Sequence, residues 1–126
     1  MKKYLSVIFV MFLLASCMDD ADEVISSKLK LEGAYFEHTY DNCSNDGNLE
    51  FSCTQWVKFH ENNKAEVLIG GNDIVWQATY SISDKEVYLI YENESLNEDA
   101  DGFRIANADT LVRFVYDEVW VRKEMN

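Results

Sequence analysis

The chain has 126 residues and carries 23 acidic against 11 basic side chains, a formal net charge of −12. So acidic a surface cannot release counterions from phosphates, which excludes nucleic acid and disfavours anionic lipid headgroups; a cationic protein, or calcium, is the electrostatic complement. With 48% hydrophobic residues and a length typical of one domain, a single core is expected.

Lys2 and Lys3 precede an apolar run from Leu5 to Leu14, which ends in small residues and Cys17. A run of about ten residues is too short to cross a bilayer, which takes roughly 20, and it has the length of a signal-peptide core. Leu14-Ala15-Ser16-Cys17 resembles the lipobox of bacterial lipoproteins. That resemblance implies a lipoprotein signal peptide over residues 1–16, cut before Cys17, with lipid on the Cys17 thiol. Several acyl chains at ~0.8 kcal/mol per buried CH₂ would hold such a protein on its membrane almost irreversibly. Met18 stands in the second position instead of Asp, which in Gram-negative lipoproteins implies the outer membrane. Residues 17–30, with Asp19, Asp20, Asp22 and Glu23, read as the acidic tether.

From Gly33 onward the hydrophobic period is two. The first strand is expected over Gly33–Tyr40, followed by a polar segment rich in Asn, Asp, Ser and Gly between Cys43 and Cys53. If Cys17 carries lipid, Cys43 and Cys53 are left facing an oxidising compartment, and a disulfide between them would staple a loop of about ten residues. Further strands are expected over Thr54–His60, Ala65–Ile69, Ile74–Ile82 and Glu86–Glu92. Alternation is clearest in Ile74, Trp76, Ala78, Tyr80 and Ile82, with Gln77, Thr79 and Ser81 between them. The long link that follows contains Asn97, Asp99 and Asp101 before Gly102, the opening of a calcium loop; against it, Ala108 stands where a bidentate Glu belongs. A solvated acidic loop and no cofactor are expected here, with calcium as the alternative this pattern admits. Strands over Gly102–Ala106, Thr110–Tyr116 and Glu118–Lys123 bring the count to eight. Short links force sequence neighbours to pair antiparallel, and eight such strands close economically into an all-β, up-and-down barrel without exposed edges.

Leu31-Glu32-Gly33-Ala34-Tyr35 at the first strand, the meander of short strands and the closing Val119-Trp120-Val121-Arg122-Lys123 resemble the lipocalin-like lipoprotein domains. The resemblance spans roughly residues 31–124, with Tyr35 where lipocalins place a Trp, and implies a barrel domain over 31–126. The interior of such a barrel either fills with side chains or holds one small apolar ligand. Val57, Phe59, Val67, Ile69, Trp76, Tyr80, Val87, Leu89, Phe103 and Phe114 are expected to line it, as core or as pocket wall. Trp56 and Trp120 have the opposite parity from their apolar neighbours and are expected outside, where they could meet a partner.

His38 and His60 are the only histidines and lack the spacing of a zinc site, so surface imidazoles are expected. No Gly-x-Ser-x-Gly, His-Glu-x-x-His or phosphate-cradling glycine loop occurs, so no enzymatic activity is expected. Two functions remain in view. A hollow barrel would hold a small apolar ligand at the cell envelope, whereas a solid one would act as an inhibitor or accessory subunit, engaging a cationic protein through its acidic surface. An enclosed apolar cavity of ~300 Å³ or more separates the first from the second.

Overall fold

The computed structural model describes residues 30–126. Cys17, the signal segment and the acidic run at 19–23 lie outside the described residues.

Eight strands form a closed, all-antiparallel barrel in sequence order: β1 (Tyr35–Thr39), β2 (Thr54–Phe59), β3 (Lys64–Leu68), β4 (Val75–Ser83), β5 (Glu86–Tyr91), β6 (Asp101–Asn107), β7 (Thr110–Arg113) and β8 (Val119–Lys123). β8 returns to β1 through Tyr35↔Lys123, Phe36↔Arg122 and Glu37↔Val121. Every edge is thereby paired, as the short links and alternating patterns require. The link between β2 and β3 turns through Asn62 and Asn63, both at φ 57°, a left-handed conformation that asparagine tolerates and a tight hairpin needs.

Because the strands alternate in direction, the connections fall into two sets. At one end, here the upper, lie the segments 40–53, 69–74, 92–100 and 114–118; at the lower end lie the tight turns at 60–63, 84–85 and 108–109. Leu31 and Ala34, both buried, close the lower end as a plug ahead of β1. Gly33 makes this turn feasible at φ +80°, and its N–H donates to the Phe59 carbonyl at 2.8 Å.

Inward side chains come from all eight strands: Phe36, Val57, Phe59, Ala65, Val67, Ala78, Tyr80, Val87, Leu89, Phe103, Leu111 and Trp120 are buried. They interlock as aromatic pairs, with Phe36 edge-on to Phe59 at 6.1 Å, Phe59 to Tyr80 at 4.9 Å and Phe103 to Trp120 at 5.1 Å. Trp120 is therefore inside, at 0% exposure, and the sequence expectation for it is corrected. Val119 and Val121 outnumber it on β8, yet a Trp buries far more area than a valine, and β-branched residues suit the outer face of a strand. Trp56 does lie outward, half-buried against Tyr35 at 5.9 Å.

Candidate functional site

Of the ten residues expected to line the interior, Val57, Phe59, Val67, Tyr80, Val87, Leu89 and Phe103 do so, and Ile69 and Trp76 pack against the core partly buried. Phe114 does not. β7 ends at Arg113, so Phe114 begins the following turn, and its ring lies over Gly102 and beside Tyr88 at 5.5 Å, on the face of β6 opposite Phe103. Phe36, Ala65, Ala78, Leu111 and Trp120 complete the inner layer. Nine inward side chains, at least one each from β1, β2, β3, β5, β6, β7 and β8, have 0% exposure, so the middle of the barrel is filled by its own side chains.

Above this apolar layer sits a polar plug. Gln55 is 1% exposed and Asp101 8%, and the side chains of Arg113 and Glu118 are mostly buried, at 11% and 12%. Asp101 accepts two hydrogen bonds from the Arg113 guanidinium, Nε at 3.2 Å and Nη2 at 3.1 Å, one from the Tyr91 hydroxyl at 2.6 Å and one from the Gly102 amide at 2.8 Å. Glu118 lies 3.6 Å from Arg113 Nη1 and accepts from Gln55 Nε2 at 3.1 Å. Gln55 Oε1 in turn accepts from the Gly70 amide at 3.1 Å, tying the 69–74 connection to the plug. Burial, with the Asp101 carboxylate beside it, pushes the Tyr91 hydroxyl well above its ordinary range. For Arg113 burial alone would lower the pKa, but the hydrogen bonds and charge of Asp101 outweigh it and the guanidinium is held charged. Two carboxylates against one guanidinium leave this end of the interior net negative.

The residues of the calcium-like pattern make other contacts. Asp101 is turned inward onto Arg113, and Asn97 is bonded to the Tyr91 backbone, accepting from its N–H and donating to its carbonyl, each at 2.8 Å. With Asn97 and Asp101 committed elsewhere, Asp99 is left without the alternating oxygens that an ion requires. Among the described residues no group of three His, Cys, Asp or Glu side chains converges.

The upper connections make one electrostatic unit. Asp41, Asp46 and Glu50 lie in the first, Asp73 in the second, Glu92, Glu94, Glu98 and Asp99 in the third and Asp117 and Glu118 in the fourth; none of the four contains a lysine or arginine. Cys43 and Cys53 are disulfide-bonded, with Cα atoms 5.6 Å apart, so the longest of these segments is stapled. The Ser52 amide donates to the Gly71 carbonyl at 3.0 Å and the Phe51 ring covers Gly71, which joins the first two connections. Among these acids stand exposed apolar side chains: Leu49 at 89%, Tyr116 at 87%, and Phe51 and Ile74 about half exposed. Exposed apolar side chains thus stand within an acidic rim at the upper end.

His38 stacks on Trp120 at 6.2 Å and its Nδ1 lies 2.8 Å from the Val119 carbonyl, so it caps the core instead of standing free. His60 pairs with Glu66 at 2.7 Å; this hydrogen bond, with another from Gln77, holds the Glu66 carboxyl below its usual range. His60 also borders an open depression of about 480 Å³ at the lower end, shared with Gly33, Lys58, Phe59 and Lys64. The plug was the part of the site missed from sequence. Its signal was parity: continuing the inward alternation of Val57, Phe103 and Leu111 two residues upward lands on Gln55, Asp101 and Arg113.

Comparison with protein-family models, with curated proteins and with solved structures finds no match to the chain.

Proposed function

We propose that the chain is a non-enzymatic, lipocalin-like envelope lipoprotein, held on the outer membrane by lipid on Cys17, whose solid barrel presents its acidic mouth to a cationic protein. The observation that carries the reading is the pairing of a filled interior with four upper connections that hold acids and apolar side chains but no basic residue. A filled barrel leaves the outer surface as the place for recognition, and the mouth is where charge and exposed apolar area coincide. The small apolar ligand expected as one option finds no support in this packing.

The test compares equal charge changes in two places, with oligolysine as the probe and salt titration as the control. Changing Asp41, Glu50, Asp73 and Glu98 of the mouth to amides should weaken binding by roughly tenfold, since exposed ion pairs contribute ~0.2–1 kcal/mol each. Amides at Glu32, Glu61, Asp84 and Glu124 of the lower half should leave it nearly unchanged. Equal losses from the two sets would mean that net charge alone is at work and would sink the reading.

Two cysteine substitutions separate address from scaffold. Cys17→Ala should move the protein from the membrane to the soluble fraction with its melting temperature unchanged. Cys43→Ser should leave fractionation alone and destabilise the fold by about 2–3 kcal/mol, the chain-entropy value for a ten-residue loop. Membrane retention of the Cys17 variant would refute the anchor.

A further inference from the structure

Far from the mouth, the depression of about 480 Å³ at the lower end combines a fixed backbone frame with a rim of both charges. Two turns make the frame. The Gly33 amide donates to the Phe59 carbonyl at 2.8 Å and the Phe59 amide to the Ala34 carbonyl at 2.9 Å, which pins the turn ahead of β1 to the end of β2. The His60 amide donates to the Lys64 carbonyl at 2.7 Å and the Tyr80 amide to the Asn63 carbonyl at 2.8 Å, which pins the β2–β3 hairpin to β4. Glu32 comes from the first turn and Glu61 from the second, while Lys58 and Lys64 take the outward parity of β2 and β3, since Val57, Phe59 and Ala65 face in. None of these four charged side chains forms an ion pair among the described residues, although all border one concavity. Burial, and after it the charge of Glu32, raise the Tyr80 hydroxyl above its ordinary range, so the Glu32 carboxylate stands on the barrel side of the rim. The His60 ring is held beside them by its 2.7 Å bond to Glu66, which keeps that carboxylate engaged.

We infer that this depression binds a small zwitterion, one molecule carrying a free ammonium and a free carboxylate, such as a dipeptide, with Lys58 and Lys64 on the carboxylate and Glu32 and Glu61 on the ammonium. The volume falls in the ~300–1,000 Å³ range of small-molecule sites. The signs on the rim select the class. A simple anion meets Glu32, Glu61 and the chain's net charge of −12, and a simple cation meets the two lysines. A molecule that is neutral overall yet charged at both ends gains from both pairs, through charge-assisted hydrogen bonds, which are the stronger kind. The rim has little to gain by closing on itself, because ion pairs in contact with water contribute little, so the charges stay open to a ligand. The site is separate from the mouth and does not rest on the function proposed above.

The probe is dialanine, titrated into the full mature protein in nonionic detergent micelles and followed by backbone amide shifts. Saturable shifts are expected at Gly33, His60, Glu61 and Lys64, and none at the mouth. N-acetyl-dialanine, which lacks the ammonium, and dialanine amide, which lacks the free carboxylate, should each bind about tenfold more weakly. In the double variant Lys58→Met, Lys64→Met, dialanine and its amide should bind alike; in Glu32→Gln, Glu61→Gln, dialanine and its acetylated form should. None of the four side chains belongs to the core, so an unchanged melting temperature shows that the fold is kept. Absence of saturable shifts, or shifts confined to other parts of the barrel, overturns the site. An acetylated probe that binds as well as dialanine makes it an anion site, and an amide that binds as well makes it a cation site; either result overturns the zwitterion. Oligolysine binding at the mouth is measured separately and is untouched by any of these outcomes.

Discussion

Asp101→Ala should destabilise the barrel by about 3 kcal/mol or more, read as a fall in the urea midpoint at unchanged slope. The substitution removes four hydrogen bonds at once and strands the Arg113 guanidinium, which keeps only Glu118 at 3.6 Å and Gln55 at 3.4 Å. A buried charge that loses its partner costs far more than the pair contributed, because desolvation is no longer compensated. The double variant Asp101→Leu, Arg113→Met should therefore recover part of the loss, despite removing more polar contacts. A double-mutant cycle decides it: costs that simply add would show that the two residues do not act as a unit. The same variant bears on function, since Gln55 links the plug to Gly70, and a loosened plug should release the 69–74 connection of the mouth. Loss of oligolysine binding in Asp101→Ala, with recovery in the double variant, would tie the order of the mouth to the charge pair beneath it.

The strands were legible because a period of two recurs along β2 to β6, and β2, β5 and β6 fall within a residue of where alternation places them. At the lower end their pairing followed from link length, since the connections of two to four residues there permit only antiparallel neighbours. Facing was harder wherever both parities were apolar. On β8, Val119, Trp120 and Val121 give no alternation, and the pairing of Leu111 with Trp120 across β7 settles what composition could not. The plug was hidden for a different reason. Gln55 and Arg113 are 58 residues apart, and what makes them partners is closure of the barrel, a long-range fact that no local pattern encodes. For Asp101 local pattern was ambiguous: its place after Asn97 and Asp99 resembles the opening of a cation loop, while its inward parity on β6 places it on Arg113. The mouth was legible in part, as acidity without location; topology gathers ten carboxylates from four connections at one end.

Gly102→Ala should be the most damaging single methyl in the domain. A Cβ built there would sit 2.0 Å from the Val87 carbonyl oxygen and 2.9 Å from the Phe114 ring, and Gly102 holds φ at +156°. The phenyl ring could swing away, but the carbonyl belongs to β5, whose next residue, Tyr88, is the register partner of Gly102. In an open sheet an edge strand could step aside; in a closed barrel β5 is also fixed by β4, so relief at Gly102 must break pairing on one side. A loss of roughly 4 kcal/mol or more is expected, enough to unfold a marginal domain of this size. Gly47→Ala is the control, since Gly47 has φ +81° and nothing within 4 Å of the added Cβ, so it reports only the left-handed backbone cost of about 1 kcal/mol. If thermal melts place the two variants within about 1 kcal/mol of each other, the close approach of β5 to β6 does not exist in solution, and the register that turns Asp101 inward must be redrawn with it.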